Sequence, residues 1–136
     1  MIEAIEYMAC GKITAKEYIE FFRARRPQFV LDPCRVDEML SRSILVTARR
    51  NGQLVGFIRI LSDGYVFSTI AEIMSMPEFY DDGEWVKKMM SLAAEVSQTR
   101  LVLGTHRVNP DILRELGWNE TFMGYAYKNK PRVASK

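Results

Sequence analysis

The sequence predicts an α+β domain in which helices cover both faces of a twisted, mostly antiparallel sheet. Three observations predict it. Two β-rich runs, residues 44–48 and 54–61, flank Asn51-Gly52, whose tolerance of positive φ marks a tight hairpin turn. Ser62-Asp63-Gly64 then sends the chain back through residues 65–75, which gives a third antiparallel strand. Last, a helix pattern at residues 84–96 lies between that strand and a short apolar run at 100–104, and such a strand, helix, strand passage leaves its two strands parallel.

Each element has a local cause. Residues 2–8 read as an opening strand. Thr14 with Glu17 three residues on forms a capping box for a first helix, whose apolar face is Tyr18, Ile19, Phe21 and Phe22. Arg23, Arg25 and Arg26 end it before Pro27, where basic side chains complement the helix dipole and also offer an anion contact. Asp32 caps a second helix that runs through Leu40, with Pro33 at its first position and Val36, Met39 and Leu40 facing inward. In the third helix Trp85, Val86, Met89, Met90, Ala93 and Val96 recur at spacings of three and four, one buried stripe. The 100–104 strand is expected to pair in parallel with residues 69–75. A short helix at 111–116 is closed by Gly117, and residues 121–128 read as a last strand before a polar tail.

A chain of 136 residues suits one domain spanning residues 1–136. With 19 Lys+Arg against 17 Asp+Glu the net charge is slight, which gives no general pull toward nucleic acid or an anionic membrane. The set Arg23, Arg25, Arg26, Arg49, Arg50 and Arg59 leaves nucleic acid only as a minor alternative. No run approaches the ~18 to 20 apolar residues of a membrane helix, and the first residues carry acids where a signal peptide carries bases, so a cytoplasmic protein is expected. Cys10 and Cys34 fit no metal spacing and are expected as reduced thiols, and no metal site is expected. The eight methionines point to an adaptable core.

Several short strings, in order on matching elements, resemble the GCN5-related N-acetyltransferases (GNAT). They are Gly52-Gln53-Leu54-Val55-Gly56 in the hairpin, Ser62-Asp63-Gly64, Met76-Pro77-Glu78 at the strand end, and Leu116-Gly117-Trp118 before the final strand. The resemblance covers nearly the whole chain. It implies a parallel strand pair splayed at a cleft, with acetyl-CoA as co-substrate held there and its pantetheine arm paired to the backbone of Ile73, Met74 and Ser75. It also implies that the pyrophosphate rests on Tyr80, Asp81, Asp82, Gly83, Glu84 and Trp85, where unpaired N–H groups at a helix start favour an anion.

The loop departs from the family pattern. Tyr80 stands where the family has Gln or Arg, Gly83 matches the first glycine, and Trp85 replaces a small residue, which obstructs close approach. Asp81 and Asp82 bring carboxylates beside the expected phosphates, and like charges at ~4 Å repel by about 1 kcal/mol in water. Read from the residues alone, Asp81 is a helix cap with Glu84 completing its box. For catalysis the family needs a base and an acid. Glu72 and His106, the only histidine, are the base candidates; Leu113 stands where the family has its acidic tyrosine, and Tyr125 on the last strand is the substitute. The implied reaction is direct acetyl transfer from acetyl-CoA to the amine of a small molecule or peptide. The alternative is a catalytically silent protein- or ligand-binding module, and a homodimer is left open.

Overall fold

The computed structural model describes residues 4–105 and 107–121. Its elements are β1 (Glu6–Ala9), α1 (Ala15–Arg25), α2 (Pro33–Ser41), β2 (Ile44–Arg50), β3 (Gln53–Ser62), β4 (Phe67–Ser75), α3 (Gly83–Ser97), β5 (Leu101–Leu103) and α4 (Pro110–Glu115), with a 3-10 turn at Pro77–Phe79. The strands lie in the order β1-β2-β3-β4-β5. Every neighbouring pair is antiparallel except β4 and β5, which are parallel. The fold expected from the hairpin and the strand, helix, strand passage is the one found. The proposed strand at 121–128 falls almost wholly outside the described residues.

Two apolar layers sandwich the sheet. On one face Tyr18 and Phe21 of α1 and Val36 and Leu40 of α2 pack on Leu45, Leu54 and Phe57. Phe57 takes both α1 rings at centroid distances of 5.5 and 5.6 Å. On the other face Trp85, Val86, Met89, Met90 and Ala93 of α3 cover Val46, Ala48, Ile58, Ile60 and Ile70. The caps at Thr14, with Glu17 reciprocating, and at Asp32 form as the sequence predicts. Among the described residues no helix is long and apolar enough to cross a membrane.

Two irregularities shape the region that follows. Ala48 pairs with Gly56 and Arg49 with Leu54, so Val55 is the extra residue of a bulge. Gly56 thereby turns toward α3, and the Trp85 ring fills the space a side chain would need: a Cβ on Gly56 would lie 2.3 Å from Trp85 Cζ2. In the second case Arg59 pairs with Glu72 and Ile60 with Ile70, which leaves Ala71 as the extra residue of β4. A bulge bends its strand, and this one falls where β4 parts from β5.

The β4–β5 register corrects one expectation. Pairing runs from Phe67↔Leu101 to Thr69↔Leu103, at the start of β4 and not along residues 69–75. The cause is the anchoring of the strand entry. Arg100 and Leu101 donate their N–H groups to the carbonyls of Tyr65 and Val66. Thr99 Oγ1 donates to the buried Ser68 hydroxyl at 2.8 Å, and Ser68 in turn donates to Ser62 at 2.9 Å. Pinned there, β5 ends at Leu103, whereas β4 continues to Ser75.

Candidate functional site

Past Thr69 one edge of β4 has no strand partner among the described residues, and the opening holds a cavity of about 440 Å³. Ile73, Met74 and Ser75 form one side, Phe79, Tyr80 and Trp85 the base and rim, and Arg107 and Val108 of the loop after β5 the far side. The end of α1 closes it with Arg25, Arg26 and Gln28. Backbone amides and carbonyls on an unpaired strand edge are strong hydrogen-bonding groups that an extended ligand can satisfy.

Arg25 is built into this region. Its Nε donates to the Ser75 carbonyl and its Nη1 to the Phe21 carbonyl, both at 2.8 Å, while the guanidinium lies 3.7 Å over the Phe21 ring and beside the Tyr80 hydroxyl. Desolvation of this guanidinium lowers its pKa, with Tyr80 acting the other way. Arg26 and Arg107 differ: neither forms an ion pair with a carboxylate among the described residues. Among the described residues the cavity lining contains no Asp or Glu.

The start of α3 has already committed two of its donors. Asp82, not Asp81, is the cap, because Gly83 is the first helical residue; Asp82 Oδ1 accepts from Glu84 N–H at 3.1 Å and Trp85 N–H at 3.2 Å. With that start the third helical position is Trp85, so Glu84 is one place too early to complete a capping box. Trp85 itself is 3% exposed, stacks on Phe79 at 5.6 Å and belongs to the core. Its Nε1 is buried with no hydrogen-bond partner among the described residues.

The sequence-predicted cofactor residues therefore divide. Ile73, Met74, Ser75, Tyr80 and Trp85 line the cavity; Asp81, Asp82, Gly83 and Glu84 do not. Glu72 is on β4 but outside the lining. Its Oε1 accepts from Arg59 Nε and from the Tyr18 hydroxyl, each at 2.6 Å, against α1. Burial, then the bond to Glu72, raises the Tyr18 pKa well above the ordinary tyrosine value. His106 and Tyr125 lie outside the described residues. Leu113 packs against the α3 core layer. Among the described residues no group of acids, cysteines and histidines could hold a metal ion. Arg107 and Val108 were not singled out from sequence; the only pointer was their place next to His106, at the open end of the β5 strand.

A sheet whose one parallel pair opens at a bulge, with a helix entering from the end of the bulged strand, decides the comparison with known structures. The fold is that of the GCN5-related N-acetyltransferases. A GNAT-family acetyltransferase from Streptococcus pneumoniae superposes with a TM-score of 0.71 at 15% identity, over 94% of this chain and 100% of that one. A ribosomal-protein-alanine N-acetyltransferase from Brucella melitensis biovar Abortus matches at TM-score 0.65 and 14% identity, over 93% and 99% of the two chains. An aminoglycoside N-acetyltransferase solved in complex with CoA matches at TM-score 0.63 and 15% identity, over 96% and 98%. No protein-family model and no curated protein matches the sequence, so the GNAT likeness is one of fold.

Proposed function

We propose that the protein is an acyl-CoA-dependent N-acetyltransferase that passes the acetyl group of acetyl-CoA directly to an amine. The observation that carries the proposal is the open edge of β4 beyond Thr69, facing a cavity at the splay of a parallel pair in a GNAT fold. The solved GNAT-fold enzyme in complex with CoA supports the cofactor class. Ile73, Met74 and Ser75 would hold the pantetheine arm through their backbone, which asks nothing of their side chains. The free amine nitrogen attacks the thioester carbonyl, the C–N bond forms and the C–S bond breaks, and one proton passes from the nitrogen to the thiolate. Glu72 is committed to Arg59 and Tyr18. In this mechanism it positions β4, and the proton steps fall to His106 as base and Tyr125 as acid.

The second reading, a silent module that binds a ligand or partner, is favoured by the Asp82 cap on α3 and by Leu113 at the usual tyrosine position. A thermal-shift titration decides between them, since a ligand that binds only the folded chain must raise its stability. Acetyl-CoA should raise the melting temperature, and release of free thiol should follow when a panel of amines is added. Stabilisation without thiol release would favour the silent module, and no stabilisation at millimolar acetyl-CoA would end the acyltransferase proposal.

A further inference from the structure

We propose that the cavity contains a diphosphate site made of arginine side chains, with Arg26 from the end of α1 and Arg107 from the loop after β5 taking the role that a helix N-terminus would otherwise fill. That the diphosphate belongs to acyl-CoA rests on the proposed function; the site itself does not. An anion arriving at α3 would meet Asp82, whose carboxylate already accepts from Glu84 and Trp85 N–H. It would have to displace that carboxylate and then sit beside its charge. Within the cavity the situation is reversed. Among the described residues of the lining, Arg25, Arg26 and Arg107 are the side chains with a formal charge, and all carry the same sign.

The division of labour among the arginines follows from their contacts. Arg25 spends Nε and Nη1 on the Ser75 and Phe21 carbonyls and so fixes the end of α1 against β4. Arg26 is its neighbour in the chain, half-buried at the α1 C-cap, and is placed by that fixture. Arg107 lines the same cavity from the loop after β5, where Val108 is buried and anchors the backbone. With no carboxylate partner among the described residues, neither guanidinium has to break an ion pair before it binds. A planar guanidinium offers parallel N–H donors matched to two phosphate oxygens. The apolar floor of Ile73, Met74, Phe79 and Trp85 strengthens such contacts by lowering the local dielectric. A volume of about 440 Å³ admits a diphosphate with part of its attached group.

Calorimetric titration of the full chain with inorganic pyrophosphate, ADP and acetyl-CoA tests this, in the wild type and in an Arg26→Gln, Arg107→Gln double variant. Each lost charged hydrogen-bonding group should weaken pyrophosphate binding by roughly tenfold, about a hundredfold for the pair. Lysine at both positions should recover part of it, keeping the charge and losing the fork. Melting temperatures without ligand should match the wild type, because the two side chains form no ion pair among the described residues. Wild-type affinity for pyrophosphate in the double variant would overturn the site. Binding of pyrophosphate that depends on the arginines, with no binding of acetyl-CoA, would uphold the site and remove the acyl-CoA source. Acetyl-CoA bound equally by wild type and double variant would do the opposite, and absence of binding by any of the three probes would end both.

Discussion

The two helix ends beside the cleft carry opposite charge: the start of α3 is acidic and lies outside the lining, whereas the end of α1 is basic and lies within it. At α3 Asp81, Asp82 and Glu84 crowd the helix start, and the one that caps it takes the Glu84 and Trp85 N–H groups. At the end of α1 Arg25 and Arg26 line the cavity together with Arg107. A helix start is a backbone site, available to any sequence that leaves its N–H groups free. Guanidinium groups are side-chain sites that mutation can remove one at a time. The contrast teaches that the positive charge at a cleft can be moved from one helix end to another while the fold that makes the cleft stays in place.

The largest effect should come from beneath the acidic side. Trp85→Ala should cost about 3–5 kcal/mol in urea unfolding, since it empties a core position between Phe79 and Gly56. Trp85→Phe should cost far less, because it also removes an indole N–H that is buried without a partner. A loss under about 1 kcal/mol for the alanine variant would mean that the ring is not what supports the helix start.

The cap itself comes next. Asp82→Ala should destabilise by about 1 kcal/mol, yet tighten pyrophosphate binding by relieving repulsion. Weaker binding in that variant would break the comparison, since the acid would then be helping the anion.

The arginine side is held by α1, whose Tyr18 donates to Glu72. Tyr18→Phe should cost about 1 kcal/mol. Because the folded pKa of Tyr18 lies above the ordinary value of 10.0, its contribution is complete below pH 10 and is lost as pH rises further. The phenylalanine variant should lack that alkaline loss, and an unchanged alkaline profile would remove Tyr18 as its source.

The smallest effect is expected one residue before Tyr18, in the first turn of α1. Glu17 bonds to Arg49, which first and foremost lowers its carboxyl pKa below the ordinary 4.5. Its contribution is therefore present above pH 4.5 and lost as pH falls through the folded value. With both side chains partly exposed, Glu17→Gln should cost only about 0.5 kcal/mol at neutral pH, and should flatten the acid limb of the stability curve.

What was legible in the sequence depended on how local its cause was. The hairpin at Asn51-Gly52, the Thr14 and Asp32 caps and the α3 stripe are each set by residues within one turn of one another, and each formed as expected. Choosing Asp81 over Asp82 was an error of one residue, at a helix start where two adjacent acids satisfy the same rule. The β4–β5 register was less accessible, because Thr99, Ser68 and Ser62 fix it through a chain of hydroxyls that no periodicity marks. The cavity was legible in half. Ile73, Met74 and Ser75 follow from the strand end, and the arginines at the end of α1 were noted as an anion contact, but Arg107 meets them only through the sheet topology.

Gly56 and Trp85 also constrain each other's replacement. With the ring in place, even one methyl group on residue 56 would collide with it at 2.3 Å, and with residue 56 enlarged the ring has no seat. Changes at these two positions are therefore order-dependent: Gly56→Ala should be severely damaging on its own and much less so once residue 85 has been trimmed, when the Met74 carbonyl, 3.0 Å from the new methyl group, is the crowding that remains. Any redesign that shrinks position 85 to reopen the start of α3 gains, as a by-product, freedom to rebuild the hairpin beneath it.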